Sequence, residues 1–136
     1  MRVETRARAR ALQAVYAWDL RGSPDLERVA TTIWDDLAIA PDERVLAGAL
    51  VREVVRHGDE IDRSLAEVTT NWRLERLGVI ERSVLRVAAA ELQLGETPAR
   101  VVIQESIRLA ERYGSEQSAR FVNGVLDALA RRMGRL

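Results

Sequence analysis

From Val79 to the C-terminus, apolar residues recur three and four positions apart, interrupted at Gly95, Pro98 and Gly114. That spacing is the buried stripe of an α-helix, repeated three times, and the interruptions are helix stops and starts. Ile80, Val84, Val87, Ala88 and Leu92 form the first stripe, and Val102, Ile103, Ile107, Leu109 and Ala110 the second. Phe121, Val122, Val125, Leu126, Leu129 and Met133 form the third. Nowhere do four residues alternate strictly between hairpin turns, so no sheet is expected.

The N-terminal half follows the same rule. A first helix is expected from about Thr5 to Leu20, with Leu12, Val15 and Tyr16 on its apolar arc. Gly22 stops it; Ser23 and Pro24 read as the N-cap and first residue of a second helix, running to about Ala38. Pro41 opens a third that ends near His57-Gly58, and 59–68 read as a separate short helix. Thr69-Thr70-Asn71 is a polar break, followed by an apolar turn through Trp72, Leu74 and Leu77. Later, Thr97 and Pro98 read as cap and first residue, and Ser115 or Ser118 caps the last helix. The expected fold is all-α: one compact domain of about seven helices in two packed bundles, with halves of about 1–70 and 71–136.

One run breaks the pattern. Asn123 and Gly124 sit inside the last stripe, and glycine within a helix costs about 1 kcal/mol relative to alanine. The expectation is a close backbone approach or a side-chain hydrogen bond at that place.

The remaining composition mostly excludes. Cysteine is absent, which removes disulfides, thiolate metal sites and a cysteine nucleophile, and fits a reducing cytoplasm. No run of eighteen apolar residues offers a membrane helix, and no apolar segment follows the basic N-terminus as a signal peptide requires. His57 is the only histidine, so any metal site would need carboxylates alone, and none shows the spacing of a calcium loop. No nucleophile elbow, glycine-rich phosphate loop or triad is present, and neither an enzyme, a metal nor a cofactor is expected.

The charges are more telling. All 21 basic residues are arginine, a bias that GC-rich coding accounts for. Residues 1–10 carry four arginines against Glu4, whereas 22–94 carry nine against fourteen acids. Arg2, Arg6 and Arg10 gather on one side of the first helix, while Arg8 falls one turn before Leu12, in line with the buried side. Arginine clusters bind phosphate oxygens and stack on bases, and Tyr16 and Trp18 add aromatic surface; a merely solvated helix start fits the same residues.

The runs RARARALQAVYAWDL (6–20), LGVIERSVLRVAAAEL (77–92) and VIQESIRLAERYGSEQSARFVNGVLD (102–127) together resemble the NusB family of bacterial transcription antitermination factors. Residues 22–70 match in helical pattern only. The resemblance implies binding to the boxA RNA of rRNA operon leaders, jointly with the small-subunit ribosomal protein NusE. The complex includes other Nus factors and helps RNA polymerase resist premature termination. By the same resemblance the RNA contacts are Arg6 and Arg8, with Arg2, Arg10 and Tyr16, and a second edge of Gln117, Ser118, Arg120 and Phe121. Glu81 is the implied NusE contact, accompanied by Glu75 and Arg76.

Where relatives often carry consecutive basic residues, this chain reads Glu4-Thr5-Arg6-Ala7-Arg8, and Gln117 replaces a common acid. The thinned cluster implies weaker RNA binding alone and a stronger need for NusE. Three alternatives stay open at this point. One is a homodimer or helical interaction module with its RNA surface masked. Another is a stand-alone relative of the RNA-binding domain of rRNA cytosine methyltransferases, although no methyltransferase motif follows before Leu136. A helix-turn-helix DNA binder is the least favoured, because no short turn leads into a basic recognition helix.

Overall fold

The computed structural model describes residues 2–69 and 76–136. Six helices occupy them: α1 (Val3–Arg21), α2 (Leu26–Asp36), α3 (Pro41–Val68), α4 (Val79–Leu94), α5 (Ala99–Tyr113) and α6 (Glu116–Arg132). No strand occurs among the described residues, as the absence of alternation required. The count is six, not about seven, because the stop expected at His57-Gly58 is only a kink. His57 leaves helical geometry at φ −123°, ψ 24°, and α3 resumes at once. Val54 and Ile61 lie seven residues apart across the kink, so the buried side stays in register and packing holds both segments together.

The caps follow the punctuation with small shifts. Gly22 and Gly95 close α1 and α4 in the left-handed region, at φ 62° and 72°. Asp25, rather than Ser23, caps α2: its carboxylate accepts from the Arg28 amide at 3.1 Å, which leaves Pro24 outside the helix. Pro98 occupies the cap position of α5, one residue later than Thr97. Ser115, of the two candidate serines, caps α6 by accepting from the Ser118 amide at 3.1 Å.

The core is one continuous cluster drawn from all six helices. α4 is its axis, and Ser83, Val84, Leu85, Val87 and the run Ala88 to Leu92 are all buried. A helix apolar nearly all round belongs inside a bundle, and its three consecutive alanines let neighbours approach from several sides. α1, α3, α5 and α6 all pack against α4.

The Phe121–Asp127 run corrects an expectation. Asn123 and Gly124 are exposed, and a Cβ added to Gly124 would meet nothing within 4 Å. At about 100° per residue Gly124 stands roughly 200° from Val122, on the outer side. A glycine that does meet backbone closely is Gly114 at the α5–α6 junction, where a Cβ would lie 2.7 Å from both the Ala110 carbonyl and the Ser118 hydroxyl.

Candidate nucleic-acid interface

Helix α1 sorts its arginines by direction. Arg8 lies about 40° from Leu12 around the helix axis, whereas Arg6 and Arg10 lie more than 100° away. Arg8 is 5% exposed and makes a bidentate pair with Glu91, itself 2% exposed. Its Nε donates to Glu91 Oε1 at 2.8 Å, Nη2 to Oε2 at 2.7 Å, and Nη1 to Glu105 Oε1 at 3.1 Å. Thr5 Oγ1 donates to the same Glu105 oxygen at 2.6 Å. Burial works against this guanidinium's charge, but the bond and charge of Glu91 and the charge of Glu105 outweigh it and raise its pKa. Arg8 therefore ties α1 to α4 and α5 from inside, and its donors are turned away from any surface ligand.

Arg6 and Arg10 point outward and share one acid. Arg6 Nε donates to Glu43 Oε1 at 2.7 Å, and Arg10 Nε to Glu43 Oε2 at 3.3 Å. Their side chains remain about a third exposed, 38% and 33%, over a Glu43 side chain that is 7% exposed. The hydrogen bond from Arg6, against the cost of burial and with Arg10 adding to it, holds the Glu43 carboxyl below its ordinary range. Arg2 is exposed at the N-cap position, and Tyr16 is half-buried on the same helix. The basic surface thus comprises Arg2, Arg6 and Arg10, not Arg8, and an acid already lies beneath two of the three.

The second expected edge surrounds the start of α6. Gln117 and Arg120 are exposed, and Phe121 is half-buried against the core. Arg120 borders a shallow groove with Ile107, Glu111, Glu116, Ala119 and Asn123. Ser118 is buried, 6% exposed, and its hydroxyl donates to Glu81 Oε1 at 2.6 Å. Two residues assigned to different surfaces, Ser118 to RNA and Glu81 to the protein partner, are therefore bonded to each other. Glu81 also sits at the third position of α4 with its carboxylate against Gly78, where a Cβ would collide with it. Arg76 is exposed two residues before Gly78 in sequence, and Glu75 lies outside the described residues.

Sequence reasoning missed every acid that organises the interface. Glu43, Glu91 and Glu105 lie 37, 83 and 97 residues from the arginines they hold. A further network fixes the other end of α1. Arg82 Nε and Nη2 donate to the two oxygens of Asp19 at 2.7 and 2.9 Å, and Arg86 Nη1 joins at 3.0 Å. Burial alone would raise the Asp19 pKa, but Arg82 and then Arg86 bring it below the ordinary value. His57 stands within 3.9 Å of Glu53 and 3.6 Å of Glu60 at the α3 kink. Among the described residues no group of three or more His, Cys, Asp or Glu is arranged to hold a metal, and no helix is long and apolar enough to cross a membrane.

Comparison with known proteins bears on this arrangement. The profile of the NusB family matches residues 5–131. The transcription antitermination protein NusB of Anaeromyxobacter dehalogenans is 44% identical over 129 residues, covering 93% of this chain and 89% of that protein. The NusB of Sorangium cellulosum is 39% identical over 137 residues, covering 100% and 97%. Among solved structures, antitermination factors NusB and NusE in complex with dsRNA give a match with a TM-score of 0.88 and 33% identity, covering 97% of this chain and 98% of the matched one. T. maritima NusB gives a TM-score of 0.87 at 33% identity, covering 94% and 90%. Profile, sequence and fold agree over nearly the whole length: the chain belongs to the NusB family.

Proposed function

We infer that this protein is a cytoplasmic transcription antitermination factor, not an enzyme. It binds the boxA RNA of rRNA operon leaders together with NusE and joins the other Nus factors on RNA polymerase. The observation that carries the reading is the outward side of α1. Arg2, Arg6 and Arg10 offer guanidinium donors there, with Tyr16 further along the same helix. Such groups suit phosphate oxygens and exposed bases of a single strand. Gln117, Arg120 and Phe121 supply the second RNA edge. Glu81, with Arg76 beside it and Glu75 in the same segment, supplies the contact to NusE. The chain works as one domain, since a single core cluster joins the N-terminal and C-terminal halves.

Glu43 bears on how strongly the protein binds alone. A phosphate that engages Arg6 or Arg10 competes with a carboxylate already bonded to both. Binding by the isolated protein is therefore weak, and NusE adds the missing surface. Filter binding of boxA RNA, with and without NusE, tests this. The expected result is a markedly tighter complex when NusE is present. Equal, tight affinity in both cases would overturn the dependence on NusE, and no retention in either would overturn the RNA-binding reading.

A further inference from the structure

Between α1 and α5 runs an open groove of about 710 Å³ that no sequence motif announced. Arg2, Thr5 and Arg8 line it from α1, and Glu105, Arg108 and Arg112 from α5. Arg2, Arg108 and Arg112 stand against one glutamate there, since Arg8, although it lines the groove, is held from inside by Glu91. Glu105 is already neutralised: Oε1 accepts from Thr5 and Arg8, and Oε2 lies 3.5 Å from Arg108 Nη1. The Arg108 side chain is 73% exposed, so this ion pair is a weak, solvated one. Among the described residues no carboxylate pairs with Arg2 or Arg112, and the Arg112 guanidinium lies 5.4 Å from the Tyr113 ring centre. Ala9, Val101 and Leu109 give the groove apolar surface between the charges.

We propose that this groove is a phosphate track for single-stranded RNA, with Arg108 and Arg112 as backbone contacts between the N-terminal arginines and the start of α6. The proposal rests on the RNA-binding reading above and extends it to a helix that the reading leaves unused. Arg2 and Arg112 both line the groove, and Arg112 lies four residues before Glu116, the first residue of α6. A strand in the groove would thus run from the N-terminal arginines toward the chain segment that leads into α6. Cations spaced by one helical turn along α5 fit the backbone of a strand, and the apolar surface fits its sugars and bases. Such contacts read phosphates and are indifferent to base sequence.

The test measures fluorescence anisotropy of boxA RNA, and of an oligouridylate of equal length, across a salt series with the full chain. Replacing Arg108 and Arg112 together by alanine removes two phosphate contacts, each releasing about 0.7 counterion from a single strand. Both RNAs should then bind about 25-fold more weakly at 0.1 M salt, with the salt slope flattened by about 1.4. The lysine pair R108K/R112K should recover most of the slope, and the R52A/R56A pair on α3 should leave it unchanged. Unaltered circular dichroism melting of R108A/R112A keeps the loss from being one of folding. Tight boxA binding that R108A/R112A leaves untouched would overturn the track and spare the antitermination reading. Equal affinity for both RNAs, lost in R108A/R112A, would overturn boxA recognition and support the track. A wild-type chain that binds neither RNA, even with NusE added, would overturn both.

Discussion

Helices α1 and α6 each interrupt an apolar stripe with residues that do not belong to it, and the structure treats the two interruptions in opposite ways. Arg8 of α1 faces inward and is enclosed by Glu91 and Glu105. Asn123 and Gly124 of α6 face outward with open space before Gly124. A charged residue that the family resemblance assigned to RNA proves to be interior, as its spacing indicated, and a glycine that looked like a packing device proves to be surface. Direction around the helix, rather than residue type, decides the role.

The contrast can be broken most severely at Arg8. Arg8→Ala would strand the buried Glu91 carboxylate and take one partner from Glu105, and losing one partner of a buried pair costs about 3–5 kcal/mol. Urea denaturation of the purified variant should show that loss; unchanged stability with weakened RNA binding would return Arg8 to the RNA surface. On the outer side of the same helix, Glu43→Gln weakens the acid's hold on Arg6 and Arg10. RNA affinity of the isolated protein should rise about fivefold at 0.1 M salt if one phosphate contact is gained. A fall in affinity would mean that Glu43 positions the arginines rather than competing for them. The smallest effect lies on α6. Gly124→Ala should add about 0.5–1 kcal/mol of stability, through higher helix propensity and a stiffer unfolded chain. Destabilisation seen by thermal melting would restore the close approach that the sequence suggested.

Most of the fold was legible because its signals are local. Gly22, Gly95 and Ser115 each act within a few residues of themselves, and each terminates or begins a helix as its chemistry requires. The misread stop at His57 had the opposite origin: packing of Val54 and Ile61 on one side of α3 overrode a local break. For the interface, the directions of Arg6, Arg8 and Arg10 were legible from spacing alone. Their partners were not, since Glu43, Glu91 and Glu105 reach them only through the tertiary fold. The same holds for the bond between Ser118 and Glu81, and for the groove, which exists only where α5 lies alongside α1.

The Arg8 pair also constrains the order of events during synthesis. Both of its partners come late, 83 and 97 residues further along the chain. A growing polypeptide that ends anywhere before Glu91 holds a guanidinium on the inward side of α1 with no acid to receive it. Contacts of such long separation contribute only after the intervening chain has been made and closed into a loop. The first helix to leave the ribosome thus completes its buried ion pairs only after α4 and α5 have been made.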